Sequence, residues 1–150
     1  MPNHVTNTLE IYLWHNDHDD LITEIRELIC PKDSEYEYID FNAIVPPPEK
    51  MFTDNLSMDD RVRCAEEGIP NWYDWQTENW GTKWNAYSQE LIEQDNCMLK
   101  LQFDTAWAPP IPIVERLAEI LRKKYPDEDG YESYVAGAWL EEGYQSAGVF

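Results

Sequence analysis

The chain has 150 residues, 43% of them hydrophobic and 13% aromatic, which is the size of one domain and far too apolar for disorder. Thirty Asp and Glu against eleven Lys and Arg give a formal charge of -19. That balance argues against direct nucleic-acid binding through phosphates and against adsorption to an anionic membrane, because both need surplus Lys and Arg. A basic partner, a cation or a plain solubility role is compatible with it instead.

The chain opens on alternation. Val5, Asn7, Leu9, Ile11 and Leu13 point one way, and Thr6, Thr8, Glu10, Tyr12 and Trp14 the other, so a strand with one buried face is expected from Val5 to Trp14. Asp17, His18, Asp19 and Asp20 then suit a helix N-terminus. Leu21, Ile22, Ile25, Leu28 and Ile29 fall at helical spacing, with Pro31 as the stop. Tyr36 to Val45 reads as a second, weaker strand, closed by Pro46-Pro47-Pro48 in an extended segment. Ser57 is the expected cap of a short helix through Ala65, with Gly68 and Ile69-Pro70 ending it. Asn71 to Trp75 is dense in aromatics and shows no period.

Thr82 to Tyr87 and Cys97 to Phe103 read as a strand pair joined through the polar stretch Ser88 to Asn96, with Leu99, Leu101 and Phe103 facing the core. Pro109, Pro110 and Pro112 suit the irregular entry and first turn of a second helix. That helix carries Ile113, Val114, Leu117, Ala118, Leu121 and Tyr125 on one stripe and Arg122-Lys123-Lys124 at its C-terminal end. Pro126 and Gly130 end it. Tyr131 to Leu140 and Tyr144 to Phe150 read as strands around a Glu141-Glu142-Gly143 turn.

With residues 36–80 set aside as a Trp- and Pro-rich insertion after the first helix, the order is β-α-β-β-α-β with an extra C-terminal strand. The expected fold is therefore α+β: one ferredoxin-like sandwich domain over 1–150, both amphipathic helices on one sheet face. The insertion is then free to cover an edge or the opposite face.

Chemistry is sparse. Cys30, Cys64 and Cys97 form no C-x-x-C and are odd in number, so reduced thiols in the cytoplasm are expected rather than a disulfide framework or a zinc ribbon. The opening Met1-Pro2-Asn3-His4 lacks the basic and apolar regions of a signal peptide, and no apolar run approaches the ~18 residues of a membrane span. His15 and His18 admit a metal, but a polar turn explains them better. Six scattered glycines make no phosphate loop. No G-x-S-x-G occurs and no cysteine has a histidine partner in sequence, so an enzyme is not the leading expectation and neither cofactor nor metal is invoked.

The densest cluster joins Glu78-Asn79-Trp80-Gly81-Thr82-Lys83-Trp84-Asn85-Ala86 to Phe103-Asp104-Thr105-Ala106-Trp107-Ala108-Pro109-Pro110. If the strand pair forms, Glu78, Lys83 and Asp104 share a rim with Trp80, Trp84 and Trp107. One reading is an aromatic-walled pocket with a carboxylate, for a cationic or sugar-like ligand. The other is a Trp-rich core corner, with Asp104 or Thr105 capping the second helix and Lys83 as counter-ion. Acidity also admits nucleic-acid mimicry: the net charge matches about 32 Å of duplex at about one charge per 1.7 Å.

These two stretches, the second continued through Ile111-Pro112, together with Met1-Pro2-Asn3-His4-Val5-Thr6-Asn7, resemble the YubB ferredoxin-like family, uncharacterised proteins of phages, plasmids and genomic islands. The family often carries Ser where Ala108 stands. The resemblance implies a ferredoxin-like fold and a mobile-element origin, and no activity. The expected function is accordingly that of a non-enzymatic acidic protein of a mobile element that binds a basic host protein, with the Trp-rich rim supplying apolar anchors. A small-molecule or catalytic pocket at that rim is the alternative. Oligomeric state is not legible.

Overall fold

In the computed structural model, which describes residues 3–14, 21–127, 132–143 and 146–150, the alternation of the first strand is realised in full. Strand β1 runs His4–Tyr12, and Val5, Asn7, Leu9 and Ile11, with Leu13 just beyond, are all buried. Strand β3, Met98–Ala106, lies antiparallel beside it with Leu9 opposite Leu101 and Ile11 opposite Leu99. On its other side β1 pairs with β4, Tyr134–Glu141. The edges are β2, Tyr87–Gln94, and the short β5, Ala147–Val149. The sheet order β2-β3-β1-β4-β5 is wholly antiparallel. It is the ferredoxin-like arrangement with one added edge strand.

Helices α1, Leu21–Ile29, and α5, Ile111–Lys124, cover one face of this sheet. Ile22, Ile25 and Ile29 of α1 and Ile113, Val114, Leu117 and Leu121 of α5 meet Leu9, Ile11, Leu99, Leu101 and Phe103 in a single core. Burying each such side chain contributes about 1.5–3 kcal/mol before chain entropy is offset. The phenol of Tyr125 at the end of α5 donates to Glu24 Oε2 of α1 at 2.5 Å, tying the two helices at their rim. On the opposite face Thr6, Thr8, Glu10 and Tyr12 of β1 and Lys100, Gln102 and Asp104 of β3 keep solvent exposure.

The insertion does not lie on that opposite face. Ile39, Phe41, Ile44 and Trp80 enter the helix-side core, so the segment completes the layer that α1 and α5 begin. Its elements are α2, Phe41–Ile44, α3, Met58–Glu67, and α4, Trp72–Asn79. Helix α3 starts as expected at Ser57, whose hydroxyl accepts from Asp60 N while the Asp60 side chain takes the Ser57 backbone N–H. It ends on Gly68 in the left-handed region at φ 67.

Four sequence expectations are corrected. No strand forms over Tyr36 to Val45; Asp40 caps α2 instead, accepting from Asn42 N, and only Phe41 and Ile44 of that helix are buried. The backbone at Tyr38 and Ile39 bonds to a side chain, since Gln89 Oε1 accepts from both N–H groups and Gln89 Nε2 donates to Ile39 O. Second, Asn71 caps α4 by accepting from Asp74 N; no α4 residue is buried, so no apolar stripe marked it. Third, residues 81–84 form bends, and the strand occupies Tyr87–Gln94, all but its first residue inside the stretch read as a connection. An edge strand with one wet face can be polar, and its charge discourages edge pairing. The actual turn is short: Asp95 Oδ1 accepts from Cys97 N and Met98 N. Fourth, neither Asp104 nor Thr105 caps α5, whose N-cap is Pro110 with no side-chain bond. The expected caps Asp17 to Asp20, the pair His15 and His18, and Gly130 lie outside the described residues.

Candidate functional site

Gly81 starts the geometry of the rim. It takes φ 78, and a Cβ there would meet Pro112 Cδ at 2.7 Å, so the chain needs glycine twice over. The bend lets buried Thr82 donate through Oγ1 to Ala106 O at 3.0 Å, while Lys83 N reaches the same carbonyl at 3.4 Å. The Trp80-to-Asn85 segment is thereby sewn to the end of β3.

Of the six residues singled out, Trp80, Lys83 and Trp84 cluster here. Trp80 is only 2% exposed; its Nε1 donates to Val45 O at 2.9 Å and its ring meets Phe41 and Trp75 edge to face. Trp84 is 39% exposed, and Lys83 Nζ stands 4.7 Å from its ring centroid. Asp104 lies on the uncovered sheet face, opposite Tyr87 in register, and accepts from Thr6 Oγ1 at 2.9 Å. Tyr87 is the link, its ring 6.3 Å from that of Trp84. Glu78 is exposed on α4, and no described contact joins it to the cluster. Trp107 is 56% exposed, holds the unusual φ of 77, and is fixed through its N–H to Asn3 O. The rim therefore divides into a core tryptophan, a cleft-side tryptophan, and a sheet-face group around Asp104.

Trp80 and Trp84 line a cleft of ≈ 420 Å³ together with Tyr36, Asn42, Gln76, Asn85, Ala86 and Tyr87. None of these side chains is charged at neutral pH. Its floor is fixed by Asn85, which is nearly buried: Oδ1 accepts from Phe41 N and Ala86 N, and Nδ2 donates to Asp40 Oδ1. Asp40 Oδ1 also accepts from the Asn42 amide, and its other oxygen from Ser34. Gln76 Oε1 is buried, and no donor among the described residues reaches it. Burial, followed by the charges of Glu35 and Asp40, raises the Tyr36 phenol above its ordinary pKa, so it is a neutral donor.

On the sheet face His4 Nδ1 and the Tyr87 hydroxyl share a hydrogen bond. Burial first, then the carboxylates of Asp104 and Glu142, raise the Tyr87 phenol above its usual value. Neighbouring rows carry Glu10 and Glu93 flanking Lys100, and Glu90 opposite Gln102. At the far end Tyr12 and Tyr134 stack at 5.3 Å, with Leu140 exposed on the same face.

Tyr36, Asn42, Gln76 and Tyr87 were missed by sequence reasoning. Tyr36 and Asn42 fell in a stretch read as a strand, Gln76 in a helix without a stripe, and Tyr87 at the end of a misplaced strand. Asn85 and Ala86, inside the dense cluster, were in view beside Trp80 and Trp84.

No helix of the described residues is long and apolar enough to cross a membrane. No group of His, Cys, Asp and Glu among the described residues is arranged to hold a metal ion. No curated protein matches the chain significantly. No solved structure does so either. Residues 79–147, from the end of α4 to the start of β5, match the family model described as the ferredoxin-like domain in Api92-like protein, and the fold of this chain is ferredoxin-like.

Proposed function

We propose that this is a non-enzymatic acidic interaction protein that docks a basic protein through its uncovered sheet face. The observation that carries the reading is the composition of that face. Among the described residues, Glu10, Glu90, Glu93 and Asp104 stand there against Lys100 alone, on the same face as the Tyr12 and Tyr134 stack and exposed Leu140. Carboxylates around tyrosines suit Lys- and Arg-bearing surfaces: charge steers the encounter and the aromatics anchor it. Trp107, exposed and held at φ 77, adds an anchor near the end of β3 whose backbone strain needs a reason outside the fold. The reading takes the chain's resemblance to the YubB family at face value, with a mobile element as source, the host cytoplasm as setting and a basic host protein as partner. Mimicry of nucleic acid draws less support, since acids also stand on α1 and α5, on the helix side of the sheet, and on α3.

The test is capture from host lysate with tagged protein at low and moderate salt. Three forms are compared: wild type, a sheet-face variant (Glu10→Gln, Glu90→Gln, Asp104→Asn), and a control neutralised equally on α3 (Asp59→Asn, Glu66→Gln, Glu67→Gln). A basic protein held by wild type and control, and lost by the sheet-face variant and by added salt, supports the reading. Equal capture by all three forms, or no capture at all, sinks it.

A further inference from the structure

The two edges of the sheet are built differently. An open edge presents unpaired N–H and C=O groups to any strand that meets it, and folded proteins blunt it with charge, bulges or a covering segment. Edge β2 has all three. It carries Glu90 and Glu93, its pairing with β3 shifts register twice, and Gln89 bonds to the backbone of Tyr38 and Ile39 of the insertion. Edge β5 has none of these among the described residues, and shortness is its one protection. Ala147, Gly148 and Val149 are uncharged, and their pairing with β4 keeps a single register. No described strand lies beyond them. Phe150 N donates to Gly137 O, and Ser146 O accepts from Glu141 N, so the peptide groups of residues 146 and 150 turn inward. Alternation then turns the N–H and C=O groups of Ala147 and Val149 outward. Val149 is 82% exposed. The Trp139 indole lies so close to Gly148 that a Cβ there would meet it at 2.7 Å, so the middle of the edge is kept flat.

We infer that β5 pairs antiparallel with β5 of a second copy about a twofold axis at Gly148, joining the two sheets edge to edge. Three features select this occupant. The hydrogen-bonding pattern is self-complementary: with the axis at Gly148, Ala147 stands opposite Val149 of the second copy, and each such pair exchanges two backbone bonds. The edge is neutral on a chain of charge -19, so two like-charged copies meet there with the least repulsion, whereas a basic strand is drawn to the acids of β2 and the sheet face. Val149, the most exposed large apolar side chain described, gains a cross-strand neighbour in Ala147 of the second copy. An edge of 3 residues stands at the weak end of interfaces, so the pair forms at high protein concentration. The axis is normal to the sheet and brings both uncovered faces to one side, but the pairing does not depend on docking at those faces.

The experiment is sedimentation velocity on the intact chain from about 10 μM to about 1 mM, at low salt and at about 0.5 M NaCl, with amide hydrogen exchange followed by NMR. Wild type is expected to form a dimer that grows with concentration and with salt, because salt screens the repulsion between the copies. The Ala147 and Val149 amides are expected to exchange more slowly as concentration rises, while that of Gly148, which faces β4, does not change. Val149→Pro removes an outward N–H and no inward one, a placement proline tolerates at an edge. The axis counts that loss twice, so the dissociation constant is expected to rise about tenfold or more at an unchanged monomer melting temperature. Val149→Thr keeps the N–H and the strand propensity and is expected to dimerise as wild type does. Val149→Asp keeps the N–H, sets like charges across the axis and is expected to weaken the dimer, which covers the case of a proline variant that folds poorly. The inference is overturned if no dimer forms at about 1 mM in high salt. It is also overturned if either variant, Pro or Asp, dimerises as wild type does while folded, or if the slowed exchange falls on β2 instead of Ala147 and Val149. None of these outcomes bears on docking at the sheet face, which salt weakens.

Discussion

Asn85 Nδ2 donates to Asp40 Oδ1 at 2.9 Å, a bond between the start of β2 and the cap of α2, 45 residues apart in sequence. Because Asn85 Oδ1 also holds Phe41 N, this one amide fixes where the insertion leaves the core. Asp40 and Asn85 are both nearly buried, so water does not replace the partner once it is lost. Asn85→Leu removes one donor from the Asp40 carboxylate and leaves the Phe41 and Ala86 N–H groups without their acceptor, and is expected to cost about 2–4 kcal/mol. In a double-mutant cycle with Asp40→Ala, urea titration is expected to give a coupling of about 1–3 kcal/mol. Additive losses would mean that the two residues act independently.

Gly81 and Gly68 both have positive φ, at 78 and 67, but only Gly81 is crowded. Gly68→Ala pays conformation alone, about 1–2 kcal/mol, because nothing lies within 4 Å of its new Cβ. Gly81→Ala adds a 2.7 Å collision with the Pro112 ring and is expected to cost more, by a further ~1–3 kcal/mol. Thermal melts of the two variants check the order. Equal costs would show that Pro112 yields.

The legible parts of the sequence were those where burial is periodic. β1 and β3 alternate because one face is core and the other wet, and α1 and α5 carry stripes because each packs on that face. Ser57 and Gly68 were legible because a cap is chemistry local to a few residues. What escaped was structure held by long-range polar bonds. Gln89 stands in for a strand beside Tyr38 and Ile39, and Asn85 anchors α2 from across the chain; neither partner is marked by spacing. At the rim, the Trp80 and Trp84 cluster was visible as composition, but which indole is core and which is open depends on a bend at Gly81. Asp104 was separated from the cleft by strand alternation, which faces it away from the buried Phe103 and Thr105.

Tyr125 supplies a pH dependence. Burial, then its bond to the Glu24 carboxylate, raises its phenol well above the ordinary value near 10. The folded state therefore holds that proton more tightly than the unfolded state. The sign follows by linkage: the stabilisation is fully present below pH ~10 and is lost as pH rises above it, because the unfolded chain ionises first. Tyr125→Phe is expected to cost about 1–2 kcal/mol at neutral pH by deleting the bond. It is also expected to flatten the alkaline fall in stability seen in urea titrations from pH 8 to 11. A variant with wild-type alkaline behaviour would place that titration on other tyrosines.

Three tryptophans of the rim separate by what they lose on truncation. Trp80 fills the core and donates to Val45 O, so Trp80→Ala is expected to cost about 3–5 kcal/mol. Trp84→Ala removes a partly open ring and a Lys83 contact, and is expected to cost less than about 1.5 kcal/mol. Trp107 is the informative case. Its side chain is more than half exposed, and its backbone at φ 77 disfavours every residue but glycine. Trp107→Gly relieves that strain, so stability is expected to hold or to rise by up to about 1 kcal/mol, even though the largest side chain in the repertoire has been deleted. If Trp107 is an anchor for a basic partner, the same variant loses capture at moderate salt while keeping its fold. Retained capture with raised stability would remove Trp107 from the interface, and a marked fall in melting temperature would instead make it a packing residue.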